Sequence, residues 1–284
     1  MKIVIGVDWS DEAFAAVQQI LLLYRPTEVA LVHGIEMGVF EYPALAQVAS
    51  IQGYEEFRLA LTKAGQQVLD RTAQMIPAGP DVKKVNAFGN PAQLVINAAQ
   101  TMNADLITTG ARGRGAIAET IFGSVSQRVV MHAGRPTLVV KGSAKPVQRA
   151  LVAVEEKKDA EHIVRWLLHH PFANPVELCV LNVVAPLKPA LLGAFAGLDS
   201  WSAAATAEAE EFVKTVATSL SSPHYTVTAK IMTGEPAATV AEQAKDMDLV
   251  VVASHGRQGL DRFLLGSVSH SILHRVQGSV LVVR

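Results

Sequence analysis

The segment GARGRGAIAETIFGSVS, residues 110–126, determines how the rest of the chain is interpreted. Residues 105–109, DLITT, precede it, and the apolar Leu106-Ile107 followed by two β-branched threonines predicts a buried strand. Residues 124–133 follow it with apolar side chains at helical spacing, which predicts a helix. A strand, a glycine-rich loop and a helix N-terminus are therefore consecutive. Because main-chain amides in such a loop and in a first helical turn can bind phosphate oxygens, we interpret the segment as a phosphate-binding loop.

The spacing of the glycines narrows the class of nucleotide site. No Gly-Lys-Ser/Thr follows them, which excludes a P-loop, and the pattern G-x-x-G-x-G differs from the dinucleotide fingerprint. An ordinary turn between a strand and a helix also uses glycine, so the glycines alone leave a purely structural role open. The longer spacing Gly110, two residues, Gly113, nine residues, Gly123-Ser124 matches a nucleotide motif of universal stress proteins. In this motif the chain resembles that family.

The sequence repeats itself. Residues 105–140 align with residues 248–283 at a constant shift of 143, so that Gly123-Ser124 falls on Gly266-Ser267. Strands alternate with helices in both copies. We therefore expect two copies of one domain, residues 1–142 and 148–284, joined by a short segment containing Gly, Ser, Lys and Pro.

The alternation of strands and helices predicts an α/β fold with a parallel sheet covered by helices on both faces. The strand order does not follow from the sequence. The resemblance implies two tandem open parallel five-stranded sheets of order 3-2-1-4-5, similar to the adenine-nucleotide-hydrolase and Rossmann-like folds. This order places strands 1 and 4 side by side at the switch point, where open sheets bind ligands. Asp8 and Gly110 would then meet in one crevice.

The resemblance implies a nucleotide site in the first copy. Asp8 would hydrogen-bond the adenosine moiety, although a turn or helix-capping role for this carboxylate stays open. The loop glycines would let the backbone approach ribose and phosphates, with the Ser124 and Ser126 hydroxyls as added donors. Arg112 and Arg114 would either pair with phosphates or be solvated. The implied site residues are Gly6, Val7, Asp8, His33, Gly34, Ile35, Gly110, Arg112, Gly113, Arg114, Gly123, Ser124, Val125 and Ser126.

The second copy carries an eroded form of the same pattern. Glu155 stands where Asp8 should be, and Ala253 replaces the first motif glycine. A methyl group restricts positive φ and can block close approach of the backbone, and the longer glutamate would occupy ligand space. We therefore expect weak nucleotide binding or none in this copy. Its candidate residues are Glu155, Ser254, Gly256, Arg257, Gly266, Ser267, Val268 and Ser269.

Composition limits the partners and the compartment. The 284 residues include 25 Lys and Arg against 26 Asp and Glu, a net charge of −1, which argues against a nucleic-acid partner. The longest apolar segment is about half a membrane span, and the MKIVIGVDWS start does not fit an export signal. The single cysteine, Cys179, excludes an internal disulfide. We therefore expect a cytoplasmic protein that does not contact a membrane.

The resemblance implies an ATP-binding stress-response or signalling module, with Mg²⁺ beside the phosphates. No catalytic residue and no metal-ligand cluster is visible, so we expect no enzyme activity beyond slow ATP hydrolysis. Two alternatives stay open: a structural or interaction protein of the same fold without a nucleotide, and a sensor whose ligand is AMP or ADP. The resemblance also implies self-association through the last strands, as an intramolecular pseudo-dimer or a homodimer, and an unidentified protein partner.

Overall fold

The computed structural model describes residues 1–37, 53–112, 122–186, 198–254 and 265–284, without the side chains of residues 198–203. Four of the candidate site residues lie outside these ranges: Gly113, Arg114, Gly256 and Arg257. The chain divides into two compact units. Unit 1 comprises Met1–Leu21 and Arg25–Ala144, and unit 2 comprises Leu22–Tyr24 and Lys145–Arg284. The predicted domain limits at residues 142 and 148 stay a prediction.

Unit 1 contains a parallel sheet with helices on both faces. Its strands are β1 (Lys2–Gly6), β2 (Glu28–Ile35), β3 (Asp81–Phe88), β4 (Leu106–Gly110) and β5 (Thr137–Val140). Its helices are α1 (Asp11–Leu23), α2 (Tyr54–Gln74), α3 (Pro91–Thr101) and α4 (Ser124–His132). The strand order in this unit is β3-β2-β1-β4-β5, and the described pairs are parallel. The predicted α/β class is confirmed, with the order that the resemblance implies.

Unit 2 repeats this arrangement. Its strands are β6 (Arg149–Ala153), β7 (Val176–Val184), β8 (Tyr225–Thr233), β9 (Leu249–Ala253) and β10 (Ser279–Val283). Its helices are α5 (Lys157–His169), α6 (Leu198–Leu220), α7 (Pro236–Gln243) and α8 (Ser267–Arg275), with a 3₁₀ turn at Ala244–Asp246. The order in this unit is β8-β7-β6-β9-β10, again with parallel pairs.

The core of unit 1 explains why these elements form. Strands β1 and β4 are apolar because parallel strands bury both of their faces, and Val4 and Ile107 have no exposed surface. Helix α3 places Val95 and Ala99 against this core, and helix α4 adds Val129. Each buried side chain of this size contributes about 1.5–3 kcal/mol to folding. The strand ends are thereby held in fixed positions, and the loops that follow them form the candidate site.

Candidate functional site

A cavity of about 710 Å³ lies at the carboxyl ends of β1, β2 and β4 in unit 1. Its size is within the usual range for small-molecule sites. Twelve of the fourteen candidate residues of the first copy line it: Gly6, Val7, Asp8, His33, Gly34, Ile35, Gly110, Arg112, Gly123, Ser124, Val125 and Ser126. The remaining two, Gly113 and Arg114, are outside the described residues. The structure therefore brings together, in one crevice, residues from segments about a hundred positions apart.

Three helices begin beside this cavity, and they differ in how their first turns are capped. In α1 the Ser10 hydroxyl accepts from the Ala13 amide at 3.2 Å, and in α3 the Asn90 side chain accepts from the Gln93 amide at 3.2 Å. Helix α4 begins after Gly123, and within the described residues no side chain caps it. Its first-turn amides therefore retain donor capacity and the positive end of the helix dipole.

The base of the glycine loop is closed by main-chain hydrogen bonds. The Ala111 amide donates to the Val140 carbonyl, and the Gly123 amide donates to the Ala111 carbonyl, both at 2.7 Å. The Ser126 hydroxyl lies within 2.7 Å of the Ala111 carbonyl and 2.9 Å of the Gly123 carbonyl. Ser126 is 3% exposed, so its single hydroxyl proton is used inside the protein. This hydroxyl fixes the loop base, and its donation to a phosphate stays a prediction.

Replacing Ser126 with alanine should lower the stability of the nucleotide-free protein by about 1 kcal/mol, because a buried hydrogen bond is lost. Ser124 is exposed, so Ser124→Ala is the matched control and should change stability little. Urea denaturation of both variants measures the difference. Equal midpoints for the two variants would contradict the assigned role of Ser126.

Asp8 shapes the turn between β1 and α1. Strand β1 ends at Gly6, and the chain turns at Asp8. Its Oδ1 accepts a hydrogen bond from the Ser10 amide at 2.9 Å and another from the Ser10 hydroxyl. The turn role that the sequence left open for Asp8 is therefore present, and Ser10 caps α1. Asp8 nevertheless faces the cavity, as a half-buried carboxylate.

The backbone of Val7 is already paired. Its amide donates to the Val32 carbonyl at 2.9 Å, and the His33 ring nitrogen Nδ1 lies 2.9 Å from its carbonyl. Since a carbonyl only accepts, Nδ1 carries the proton in this contact. The half-buried imidazole is thus oriented by the protein. The Val7 carbonyl keeps one lone pair beside the cavity, and the roles of Val7 and His33 toward a ligand stay predictions.

Two lining glycines are explained by the packing of strands against helices. A Cβ at Gly110 would lie 2.7 Å from the Glu12 carbonyl carbon, and one at Gly34 would lie 2.6 Å from the Pro91 Cα. Both neighbours are backbone atoms, which cannot move away independently. The sequence interpretation gave Gly110 a role in approach to the ligand. The structure gives this glycine a role in the close approach of β4 to the start of α1.

Arg112 forms an ion pair inside the protein. Its Nε lies 3.2 Å from Glu12 Oε1, and its carbonyl lies 3.4 Å from the Ser10 hydroxyl. The Arg112 side chain is 41% exposed and Glu12 is 20% exposed, so the pair is worth less than about 1 kcal/mol. The Arg112 guanidinium therefore already has an ion-pair partner within the protein, and it is not freely solvated. Glu12 offsets its charge beside the cavity.

Several lining residues were not among the sequence candidates. They are Trp9, Ala13, Val32, Glu36, Leu61, Ala64, Pro91, Val95, Thr109, Phe122 and Gln127. Leu61 and Ala64 lie on the apolar face of α2 that the sequence does reveal, but the pattern does not show that this face reaches the cavity. Trp9 is adjacent to Asp8 and lies edge-on to Phe14 at 6.4 Å between ring centroids. Its position beside Asp8, shortly after β1, is the sequence feature that could have identified Trp9 as a lining residue.

Unit 2 retains the loop base of the equivalent site. The Ser254 amide donates to the Val283 carbonyl at 2.8 Å, and the Gly266 amide donates to the Ser254 carbonyl at 2.7 Å. The Ser269 hydroxyl donates to the Ala253 carbonyl at 2.7 Å, so it too is used within the protein. Ser267 and Val268 begin α8, whose N-cap Gly266 offers no side-chain cap. Gly256 and Arg257 are outside the described residues.

Acidic side chains gather at the start of α5, in the place where Asp8 and Ser10 lie in unit 1. Asp159 is 7% exposed, and burial together with the neighbouring carboxylates of Glu156 and Glu155 raises its pKa to about 6. Among the described residues, no side chain caps α5 at Glu156. Negative charge at this turn opposes the approach of a polyanion. Unit 1 carries Asp8, Asp11 and Glu12 at the same turn, so these charges do not by themselves distinguish the two units.

The raised pKa of Asp159 predicts a pH-dependent stability. Because the folded state binds this proton more tightly than the unfolded chain, the contribution of Asp159 to stability is fully present below about pH 4 and is lost as the pH rises through about 6. Asp159→Asn should remove this loss and stabilise the protein at pH 7.5 by about 1–2 kcal/mol, after allowance for solvent screening. Thermal unfolding of both proteins at pH 5 and pH 7.5 measures the effect. A variant gain that is equal at the two pH values would contradict it.

Two further features are absent from the described residues. No group of three or more His, Cys, Asp or Glu side chains there is arranged to hold a metal ion. No helix in that part of the chain is long and apolar enough to cross a bilayer.

Comparison with known proteins identifies the family of this fold and site. A sequence model of the universal stress protein family matches residues 1–141 and 146–284. A universal stress protein of Mycobacterium tuberculosis strain H37Rv is 26% identical over 289 residues, covering 99% of this chain and 96% of that protein. One from Mycolicibacterium smegmatis is 27% identical over 304 residues, with coverages of 99% and 96%.

Solved structures agree with the fold. The crystal structure of a universal stress protein from Archaeoglobus fulgidus superimposes with a TM-score of 0.64 at 18% identity, covering 100% of this chain and 98% of that one. A putative universal stress protein from Pseudomonas aeruginosa gives a TM-score of 0.62 at 16% identity, with coverages of 99% and 92%. At these identities the likeness concerns the fold alone.

Proposed function

Because the chain belongs to the universal stress protein family, we propose that unit 1 binds an adenine nucleotide in the cavity beyond β1, β2 and β4. The phosphates would lie on the first turn of α4, and the adenosine would lie between Asp8 and His33. Binding would make the protein a nucleotide-dependent stress-response or signalling module. The proposal includes two domains, residues 1–142 and 148–284, with the ligand mainly in the first.

One observation carries the proposal: of the three helices that begin at the cavity, α4 lacks a side-chain cap among the described residues. The caps of α1 and α3 satisfy first-turn amides, and α3 begins with Pro91, which has no amide hydrogen. In α4 the first intrahelical bond runs from the Gln127 amide to the Gly123 carbonyl at 3.0 Å. The amides of Ser124, Val125 and Ser126 precede it. These three donors at a positive dipole end suit a phosphate.

The charges around the cavity favour ATP together with Mg²⁺ over the free polyanion. The ionised side chains that line the described part are Asp8, Glu36 and Arg112, and Glu12 pairs with the last of these. Their sum is negative, so a bound triphosphate gains from a divalent cation that offsets its charge. AMP or ADP would need less compensation. We propose binding without rapid hydrolysis, in the cytoplasm, with self-association through the last strands and a further protein partner as readout.

Mass spectrometry of ligands released from freshly purified protein, followed by calorimetric titration with ATP and Mg²⁺, tests the proposal. We expect one tight site per chain, assigned to unit 1. Tighter binding of AMP than of ATP would shift the function to an AMP-responsive sensor. Two equivalent tight sites would contradict the difference between the units. Complete absence of nucleotide binding would favour the alternative, a structural or interaction protein of the same fold.

A further inference from the structure

Unit 2 contains a groove of its own. It has a volume of about 560 Å³ and runs between α5 and α6. Its floor is apolar, with Ala160 and Val216 almost fully buried and Val164 and Phe212 half-buried. Its volume is typical of a small-molecule site, and an apolar floor with a polar rim is the usual composition of one.

The equivalent place in unit 1 is filled by the protein's own side chains. Trp9 and Phe14 contact each other edge to face, with their ring centroids 6.4 Å apart. The guanidinium carbon of Arg71 lies 4.7 Å from the centre of the Phe14 ring and 5.8 Å from that of Trp9. A cation over aromatic faces at these distances is attracted by the rings. Unit 1 thus holds two aromatic rings and one cation between α1 and α2.

The buried positions of the helices show which residues correspond. The buried residues Ala13, Ala16 and Ile20 of α1 match Ala160, Ile163 and Leu167 of α5 at a shift of 147. The buried residues Gly65, Val68, Leu69 and Thr72 of α2 match Val213, Val216, Ala217 and Leu220 of α6 at a shift of 148.

With these shifts, unit 2 has Glu156, Glu161 and Ser219 where unit 1 has Trp9, Phe14 and Arg71. Two rings and a guanidinium are therefore replaced by shorter side chains. Glu161 and Ser219 line the groove. The groove therefore lies at the positions that Phe14 and Arg71 occupy in unit 1.

The rim of the groove carries an excess of carboxylates. Glu161, Glu208 and Glu211 line it and are exposed, and none of them forms an ion pair with a residue that the structure describes. Lys157 and Arg165 also line it, so the net charge of its ionised side chains is −1. An apolar floor, the ring of Phe212 and unpaired carboxylates together complement a ligand that has an apolar body and a positive charge.

We propose that this groove binds an organic ammonium ion with an aromatic body. The ring would lie on Val164, Phe212 and Val216, and the ammonium would lie among Glu161, Glu208 and Glu211. In unit 1, Phe14 provides an aromatic ring and Arg71 provides a cation. The bound ligand would provide both groups in unit 2. The proposal does not depend on nucleotide binding in unit 1.

An NMR titration of the full chain with 4-phenylbutylammonium tests the proposal. We expect saturable shifts of amides in α5 and α6, and much weaker effects from the neutral 4-phenylbutan-1-ol and the anionic 4-phenylbutyrate. Glu211→Gln should weaken binding about three- to tenfold, as expected for the loss of one exposed charge interaction. Glu210→Gln, on the same helix but outside the groove lining, is the matched control and should leave binding unchanged.

A variant that fills the groove gives the sharper test. Glu161→Phe combined with Ser219→Arg rebuilds the unit 1 cluster in unit 2 and should abolish saturable binding while the thermal transition is retained. If this variant does not fold, the difference in affinity between Glu211→Gln and Glu210→Gln tests the proposal instead. Equal binding of the alcohol or the carboxylate, shifts confined to other regions, or undiminished binding by the filled variant would each overturn the proposal.

Discussion

Gly110→Ala is expected to destabilise the nucleotide-free protein by about 2–3 kcal/mol. The added Cβ would lie 2.7 Å from the Glu12 carbonyl carbon and 2.9 Å from the Ala13 amide nitrogen. Both atoms belong to the backbone at the start of α1, so the helix as a whole must move away from β4. Overpacking of this kind typically costs 1–3 kcal/mol. Chemical denaturation without any nucleotide measures the effect.

Gly134→Ala is the matched control for this prediction. Nothing lies within 4 Å of a Cβ at Gly134, and its φ is not in the left-handed region. The same chemical change there should be neutral, or stabilising by up to about 1 kcal/mol through the unfolded state. If both variants unfold at the same denaturant concentration, Gly110 is not needed for packing, and its role would lie with the ligand alone.

The close contact between Gly110 and the start of α1 also changes the interpretation of Ala253 in unit 2. This residue corresponds to Gly110, and its side chain is buried at the end of β9. A methyl group at this place in unit 1 would overlap with helix backbone, so α5 must be positioned differently against β9. The substitution from glycine to alanine therefore records a change in strand and helix packing. It does not by itself show that a ligand site was lost.

The sequence predicted the alternation of strands and helices, and together with the resemblance it pointed to the edge of the sheet where the cavity lies. Residues 105–109 indicated β4, residues 124–133 indicated α4, and the glycine spacing led to the residues that surround the cavity. These predictions depend on local periodicity and on chain order, which the sequence contains directly. The strand order came from the resemblance. Together they placed twelve candidate residues around one cavity.

The roles of individual side chains could not be predicted in the same way. Ser124 and Ser126 are two residues apart with the same hydroxyl, yet one is exposed and the other donates to the Ala111 carbonyl. Which of them turns inward depends on where the loop before Gly123 closes. Likewise, Arg112 is an unremarkable loop arginine in the sequence, and its pairing with Glu12 requires the contact between β4 and α1. Such contacts are set by tertiary structure.

Ser124→Asp is expected to weaken ATP binding at least about 100-fold while leaving the fold intact. Ser124 is exposed at the first position of α4, so a carboxylate there lies beside the amides proposed to hold the phosphates. The charge would compete for those donors and repel the phosphates. The same carboxylate at a helix N-terminus stabilises the free protein by about 0.3–1 kcal/mol. Affinity and stability should therefore change in opposite directions, which separates loss of the site from loss of the fold.

The second unit supplies the control for this variant. Ser267 is also exposed and also begins a helix after an uncapped glycine, in α8. Ser267→Asp should give the same small gain in thermal stability but leave the tight ATP site unaffected, because that site is assigned to unit 1. Calorimetric titration and thermal unfolding of both variants complete the comparison. Equal losses of affinity in the two variants would mean that both helix N-termini bind nucleotide. Unchanged affinity in Ser124→Asp would mean that the phosphates do not bind at the N-terminus of α4.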